Sequence, residues 1–286
     1  MRNVFLRRAM LAVMTVVAGG LISATLARYA PGFGTDERQL DARLSGDSIA
    51  AIRRLNSEER SVFTYYANSL WRAMHGDLGT SRSLNRPVRQ LLAERSTVTL
   101  RIAGEGLAVA WIAASLAVLA TWIFRAPALA GSITLFEGTL LCLPAAVMAL
   151  LFILLNAPAY LALALIVFPK VHRYLGDLVS DARQMPHIIT AQAKGISELR
   201  LLFWHVIPVL KRETLALAGV SVGLAISAAI PVEALCGIPG IGQLAWQSAL
   251  ARDLPLLINL SMLVIACVTL ANSGADLLAD ARRAVA

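Results

Sequence analysis

Residues 97–124 read TVTLRIAGEGLAVAWIAASLAVLATWIF, a stretch in which Arg101 and Glu105 are the only charged side chains. An α-helix rises about 1.5 Å per residue, so roughly 20 apolar residues cross the ~30 Å hydrocarbon layer of a bilayer. The stretch is longer than that and is followed by Arg125 and Pro127, which do not continue an apolar helix. We therefore predict a transmembrane helix over residues 97–124.

The composition extends this prediction to the whole chain. Of its 286 residues, 57% are hydrophobic and 15% are charged, against about 45–50% and about 25% in soluble domains. A water-soluble fold would expose much of that apolar surface, whereas a bilayer removes it from water. The net charge of +8 does not indicate nucleic-acid binding, because the basic residues fall between apolar runs rather than on one basic face. We predict an all-α membrane protein.

Five further apolar runs have the length or the flanking residues of membrane spans. We place them at residues 9–27, 133–155, from 159 onward, 214–236 and 256–278. The first run also fits a signal peptide, because a basic start precedes it, but it is longer than a usual signal core. The run that begins at Ala159 is short, and Pro169 and several charged residues follow it. The sequence thus predicts about six transmembrane helices.

Two polar regions interrupt the spans. We predict a first transmembrane helix at residues 1–27, a polar periplasmic insertion at 28–96 and a five-helix transmembrane domain at 97–286. Within the insertion, residues 47–71 have the pattern of one or two amphipathic helices. The second polar region, residues 181–213, is charged and helix-prone, and it separates the fourth span from the fifth.

The distribution of basic residues predicts the orientation of the chain. Short cytoplasmic loops of membrane proteins carry an excess of lysine and arginine. If both termini are cytoplasmic, all three lysines (Lys170, Lys194 and Lys211) lie on the cytoplasmic side, and the short outer loops hold only Arg252. The insertion after the first span is too long for the rule to apply. We expect a multi-pass protein with both termini in the cytoplasm.

Residues 190–195 read Thr-Ala-Gln-Ala-Lys-Gly, with His205 and Pro208 downstream. This block resembles the cytoplasmic EAA loop of ABC-importer permeases, in particular the peptide/nickel branch of the binding-protein-dependent permeases. In that family the loop forms a short helix that sits in a groove of the ATPase subunit. The resemblance implies a coupling segment made of Thr190, Ala191, Ala193, Lys194, Gly195, His205 and Pro208. The small residues Ala191 and Ala193 suit close approach of a partner, and Gly195 suits a tight turn after the helix.

Three further blocks resemble the family in the same order along the chain. Gly-Asp-Leu-Gly-Thr-Ser at 76–81, with Arg86-Pro87-Val88 after it, is similar to the segment before the second span. Val232-Glu233, followed by Pro-Gly-Ile-Gly at 239–242, is similar to the block after the fifth span, and Arg-Asp-Leu-Pro at 252–255 to the start of the sixth. The resemblance implies that an outer gate, close to a docked binding protein, includes Glu233, Pro239, Gly240, Gly242, Arg252 and Asp253.

The resemblance also implies an architecture and a set of partners. The architecture is that of a type I ABC-importer permease in a bacterial inner membrane. The partners are a second homologous permease subunit, two ABC ATPase subunits that bind ATP and Mg²⁺, a periplasmic substrate-binding protein and the lipid bilayer. No phosphate-binding loop of the form GxxxxGK[S/T] occurs in the sequence, so we expect no cofactor and no catalytic residue on this chain. The expected substrates are di- or oligopeptides or a related small solute.

Two acidic residues, Glu105 and Glu137, fall within apolar runs. A charge inside a span is unfavourable and usually faces a cavity or a partner, so we interpret them as a polar lining of the substrate path. Interfacial placement, or pairing with a helix of a partner subunit, is the alternative. Two other functions stay open: a non-transporting scaffold or degenerate permease, and an intramembrane enzyme, which would need an activating histidine or paired acid that we place in no span.

Overall fold

The computed structural model describes residues 2–29, 62–124 and 126–280, which are mostly helical. The predicted amphipathic helices at 47–71 therefore lie partly outside the described residues. The helices within the described ranges are α1 (Arg2–Tyr29), α2 (Val62–Met74), α3 (Val88–Phe124), α4 (Pro127–Cys142), α5 (Ala145–Leu154), α6 (Ala159–Arg183), α7 (Pro186–Ala193), α8 (Glu198–Leu201), a π-helical turn (Leu202–Val206), α9 (Ile207–Cys236), α10 (Ile241–Leu250) and α11 (Leu254–Asp280).

Four continuous helical stretches among the described residues are long and apolar enough to cross a membrane. They are Arg7–Leu26, Val88–Phe124, Glu198–Cys236 and Leu254–Ala275. A bent pair of helices, α4 and α5, adds a fifth if the two together form one span. The all-α membrane fold is thus confirmed, whereas six as the number of spans stays a prediction.

The third predicted span, residues 133–155, is wrong as a single straight helix. The axes of α4 and α5 differ by 100° at the break between Cys142 and Ala145. Pro144 causes the break, because proline has no amide hydrogen to donate and pushes the preceding residue out of the helical region. Leu143 accordingly has the extended angles φ −88° and ψ 121°.

The fourth predicted span corresponds to α6, a continuous helix that runs from an apolar beginning into a polar end. Pro169 lies inside it and is buried, and the charged residues Lys170 and Asp177 after it are exposed. This polar half explains why α6 is not among the stretches apolar enough to span a membrane.

The described residues belong to two compact units. The first holds the described residues within 1–96 and 244–266, and the second holds the described residues within 97–243 and 267–286. In the first unit, Tyr66 of α2 packs with Ala24 of α1 and Ile258 of α11. Burial raises the pKa of the Tyr66 phenol, which keeps its hydroxyl protonated. That hydroxyl donates to the carbonyl oxygen of Val17 at 2.7 Å.

In the second unit, α3, α6 and α9 share an apolar core. Alanines dominate the contact, among them Ala110 and Ala114 of α3 and Ala229 of α9, and small side chains let helix backbones approach closely. The Trp111 indole donates to the Ser221 hydroxyl at 3.0 Å, which ties α3 to α9. This core positions the polar segment that follows α6.

Candidate functional sites

The predicted coupling segment contains a short helix with a defined end. Helix α7 begins at Pro186, whose fixed φ suits the first helical position, and ends at Ala193. Gly195 follows with φ +78°. Its amide donates to the carbonyl of Gln192 at 3.0 Å, and the Ile196 amide donates to the carbonyl of Ala191 at 3.4 Å. This pair of bonds is a Schellman motif, which favours glycine because a Cβ is strained at positive φ.

One face of α7 is fixed to the chain's own core. Ile188 and Ala191 are buried in a cluster that includes Trp122, Ala182 and Leu201. Ala191 therefore packs inward against the chain's own core, and its role in the coupling segment stays a prediction. Only Ala193 of the two alanines is exposed.

A cation, an aromatic ring and a carboxylate hold α8 beside this cluster. The Arg183 guanidinium lies 3.8 Å from the centre of the Trp122 ring and pairs with the Glu198 carboxylate at 3.2 Å. The Trp122 indole donates to the Glu198 carbonyl at 3.1 Å. The sequence analysis missed these three residues, because Trp122 ends an apolar run and gives no local sign of its partners.

The opposite face of α7 is open. Thr190, Ala193, Lys194 and Gly195 are exposed, and a Cβ added to Gly195 would meet nothing within 4 Å. The remaining coupling residues lie further along the chain. His205 lies half-buried in the π-helical turn and Pro208 lies exposed in the first turn of α9, so the structure separates them from α7 by α8.

The second predicted site is built around Glu233, which is fully buried near the end of α9. Gly237, with φ +67°, ends α9, and the chain then turns into α10. The Glu233 carboxylate accepts a hydrogen bond from the Gly242 amide at 2.7 Å, and the Thr99 hydroxyl accepts one from the Ile241 amide at 2.8 Å. These acceptors satisfy the first two amides of α10, which have no partner within the helix.

Two of the glycines in this loop are needed for space. A Cβ on Gly240 would overlap the Glu233 carboxylate, and a Cβ on Gly242 would overlap the backbone of Ile230. The structure therefore brings Glu233, Gly240 and Gly242 together, while Pro239 lies exposed beside them. The sequence blocks Val232-Glu233 and Pro-Gly-Ile-Gly form one compact turn between helices.

The third site joins two sequence blocks that lie far apart along the chain. Asp253 is buried immediately before α11. Its Oδ2 accepts hydrogen bonds from the Ser81 hydroxyl at 2.6 Å, the Ser83 amide at 2.9 Å and the Ser83 hydroxyl at 2.8 Å. Its Oδ1 accepts from the Leu256 amide at 3.2 Å, so Asp253 also caps α11. Arg252 beside it is exposed and has φ +54°.

A second contact supports this junction. The Asn259 side-chain amide donates to the carbonyl of Leu78 at 3.1 Å and to that of Pro255 at 2.7 Å. The Gly-Asp-Leu-Gly-Thr-Ser block at 76–81 thus packs against the first turns of α11. The sequence analysis treated the blocks at 76–81 and 252–255 separately, and the structure shows that they form one site.

The two acidic residues within apolar runs both have partners. Glu105 is half-buried and pairs with Arg101 one turn earlier in α3, at 2.9 Å. Glu137 of α4 is buried and pairs with His172 of α6, whose ring stacks on Phe168. The His172 Nε2 is buried and has no hydrogen-bond partner among the described residues. The sequence analysis did not predict this pair, because nothing in the sequence joins positions so far apart.

Comparison with known proteins identifies the family of the chain. The family described as binding-protein-dependent transport system inner membrane component matches residues 106–283, which is more than half of the chain. The chain belongs to this family. The permease is 30% identical to the oligopeptide transport system permease protein OppB of Escherichia coli (strain K12), with 92% of each chain covered. It is 28% identical to OppB of Salmonella typhimurium (strain LT2), again with 92% of each chain covered.

These matches confirm the resemblance drawn from the four sequence blocks. They also confirm that the chain is a multi-pass permease of the inner membrane, in a family of transport proteins rather than enzymes. The family description ties its transport to binding proteins. The roles of individual residues in the three sites stay predictions.

Proposed function

We propose that this permease is a membrane subunit of an ATP-driven importer that moves di- or oligopeptides, or a related small solute, from the periplasm to the cytoplasm. The names of the two relatives, both oligopeptide transport system permeases, support the substrate class. The observation that carries the proposal is the open face of α7. A short helix that ends in an exposed Schellman turn at Gly195, and whose other face is fixed to the core, suits insertion into a partner.

The packing of α7 gives a route for motion from a partner into the spans. Ile188 and Ala191 contact the cluster that holds Trp122 of α3 and Leu210 of α9. Close-packed side chains transmit displacement because they leave little free space. Movement of α7 would therefore shift the two helices that make up the longest candidate spans.

The expected partners complete the assembly. Two separate ATPase subunits hold ATP and Mg²⁺ and contact the exposed residues Thr190, Ala193, Lys194 and Gly195. A second homologous permease pairs with this one, and a periplasmic binding protein docks at the outer face of the membrane. In this orientation both termini are cytoplasmic. A fluorescent protein fused to the carboxyl terminus, which fluoresces only in the cytoplasm, tests the orientation.

Glu105 is the better of the two candidates for a polar lining of the path. Its side chain is half-exposed despite the ion pair with Arg101, so it has open surface to offer a solute. The Glu137 carboxylate is buried against His172, which favours a role in holding α4 to α6. Charged residues within spans commonly serve one of these two purposes.

The decisive experiment compares two substitutions at one position. Gly195→Ala and Gly195→Leu carry the same backbone strain at φ +78°, about 1–2 kcal/mol, and a Cβ at this position meets nothing within 4 Å. They differ only in the bulk presented to a partner. We expect both variants to fold, and Gly195→Leu alone to lose co-purification with the ATPase subunits and ATP-dependent uptake of a labelled tripeptide into proteoliposomes.

Each outcome of this comparison has a definite meaning. Equal uptake by Gly195→Leu and Gly195→Ala would contradict a docking role for the α7 turn. A wild-type chain that purifies without any ATPase would contradict the importer assignment and favour the scaffold alternative. The size-exclusion profile in detergent serves as the control for folding in both variants.

A further inference from the structure

The helix α2 lies in the segment that the sequence assigns to a polar periplasmic insertion, yet it carries two apolar faces. On one face, Tyr66 is buried against α1 and α11. On another, Phe63, Trp71 and Met74 are 67%, 63% and 70% exposed, and Ala67 between them is exposed as well. Residues three or four apart share a face of a helix, so these four form one continuous stripe, here called the α2 stripe.

The buried face of α2 reaches the apolar part of two candidate spans. The Tyr66 hydroxyl donates to the Val17 carbonyl, and it lies 3.9 Å from the Met262 sulfur. Gly20 makes this approach possible, because a Cβ there would lie 2.6 Å from the same hydroxyl. Tyr66 therefore contacts α1 and α11 inside their apolar windows, not beyond their ends.

The depth of these contacts follows from the helix rise. Val17 lies nine residues before Leu26, where the apolar window of α1 ends, and Met262 lies eight residues after Leu254, where that of α11 begins. At about 1.5 Å per residue, the two contacts are about 14 Å and about 12 Å from those window ends. The Tyr66 hydroxyl thus reaches close to the middle of a ~30 Å hydrocarbon layer. Tyr66 also packs against Ala24 and Ile258, which lie two and four residues from the same window ends. Both spans therefore place the body of α2 beside the outer half of the layer.

The exposed surface next to α2 is also apolar. Ile22 and Leu26, at the end of α1 that leads into the insertion, are among the exposed large hydrophobic residues of the chain. A multi-pass protein exposes such side chains to lipid. The α2 stripe adds two aromatic rings and a methionine on a helix that packs against α1, and aromatic side chains concentrate where the headgroups meet the acyl chains.

Another sector of the same helix is polar and exposed. Asn68 and Arg72 lie four residues apart and are both exposed. Arg72 lies on the side of the helix opposite Phe63 and Met74, and Asn68 borders the stripe, because it lies three residues before Trp71. A helix that carries separate apolar and polar exposed faces has the pattern of one that lies in the plane of the membrane interface. A helix surrounded by water on both exposed faces would leave the α2 stripe hydrated, which is unfavourable.

We propose that α2 is an interfacial membrane helix, with Phe63, Ala67, Trp71 and Met74 embedded in lipid of the outer leaflet and with Asn68 and Arg72 facing the aqueous side. Part of the proposed periplasmic insertion would then contact the bilayer and not be fully surrounded by water. The competing occupant of the stripe is the periplasmic binding protein, and the experiment separates the two.

Spin labels at neighbouring positions test the proposal. Cys142, Cys236 and Cys267 are replaced by alanine, and a nitroxide is attached to Ala67→Cys or, as the matched control, to Asn68→Cys in the full permease complex in phospholipid nanodiscs. Both positions are exposed, so neither label disturbs packing. We expect the label at 67 to be relaxed mainly by oxygen, which concentrates in lipid, and the label at 68 mainly by a water-soluble nickel chelate.

The contrary results are equally specific. Nickel relaxation at both positions would overturn the proposal. A label at 67 that is open to nickel until the binding protein is added, and immobilised afterwards, would assign the stripe to that protein and overturn the lipid assignment.

A second measurement keeps the native cysteines. Brominated phospholipid quenches tryptophan fluorescence on contact, so Trp71→Phe should remove part of the quenchable signal, whereas Trp122→Phe, which alters a buried indole, should leave it unchanged. Equal quenching of the wild type and Trp71→Phe would contradict the proposal.

Discussion

Replacing Asp253 by alanine is the sharpest test of the junction between residues 76–83 and the start of α11. The substitution removes four hydrogen bonds at once, from the Ser81 hydroxyl, the Ser83 hydroxyl and amide, and the Leu256 amide. Loss of the helix cap costs about 1 kcal/mol. The buried Ser81 hydroxyl, left without its carboxylate, adds about 1–3 kcal/mol. We therefore expect a loss of about 2–4 kcal/mol.

Two further variants calibrate this number. Asp253→Asn keeps one acceptor oxygen. When that oxygen faces Ser81 and Ser83, the three hydrogen bonds from the serines remain. The variant should therefore lose only the hydrogen bond that caps α11, which costs about 1 kcal/mol. Asp77→Ala removes a single exposed bond, in which the Asp77 carboxylate accepts from the Gly79 amide at 2.8 Å. That change should lower the stability by about 0.5 kcal/mol.

The assay is the apparent melting temperature of the purified permease in detergent, followed by the monodisperse size-exclusion peak. For a chain of this size about 1 kcal/mol corresponds to roughly 2–4 °C. Asp253→Ala should thus melt roughly 5–15 °C below the wild type, with Asp253→Asn between the two and Asp77→Ala close to the wild type. Equal melting temperatures for Asp253→Ala and Asp77→Ala would refute the assigned network.

Three other substitutions address separate contacts, each measured by the same melting assay. Gly242→Ala should destabilise the permease by about 1–3 kcal/mol, because the new methyl overlaps the backbone of Ile230; an unchanged melting temperature would show that the turn is looser than described. His172→Ala should cost about 1–3 kcal/mol by leaving the buried Glu137 side chain without its hydrogen-bond partner, whereas Glu137→Leu combined with His172→Phe should restore most of the stability; failure of that double variant to recover would contradict a simple pair. Tyr66→Phe should cost about 0.5–1.5 kcal/mol through the lost hydrogen bond to the Val17 carbonyl, and no loss would mean that packing alone holds α2.

The two buried carboxylates act in the same physical way at two different helices. Glu233 accepts from the first turn of α10, and Asp253 accepts from the first turn of α11. Both satisfy amides that a helix leaves unpaired at its beginning, where a negative charge is also favoured by the helix dipole. The glycines at 240 and 242 follow from this arrangement, since a side chain at either position would occupy space that the carboxylate or the neighbouring backbone fills.

The positions of the long spans could be read from the sequence because hydropathy is a local property. The windows over α1, α3, α9 and α11 need no information beyond their own residues. The glycine after α7 and the prolines at the starts of α4 and α7 could be read in the same way, since backbone angles depend on the residue itself. Family membership also followed from the sequence, because each of the four motif blocks is a short continuous stretch and their order along the chain matches the family.

The tertiary structure alone decided which distant groups meet. The sequence analysis placed one span across Pro144, and the 100° angle between α4 and α5 at this proline became visible only in the structure. Glu137 and His172, or Ser81 and Asp253, carry no mutual signal, because a buried polar group takes whichever partner the packed helices bring near. The same holds for Ala191, because a small side chain fits the core of its own chain as well as the groove of a partner. Only the structure shows that Ala191 packs in the chain's own core together with Ile188. For α2, composition indicated a polar insertion, whereas the Tyr66 contacts with mid-span residues placed the helix beside the spans, because depth is set by packing rather than by local hydropathy.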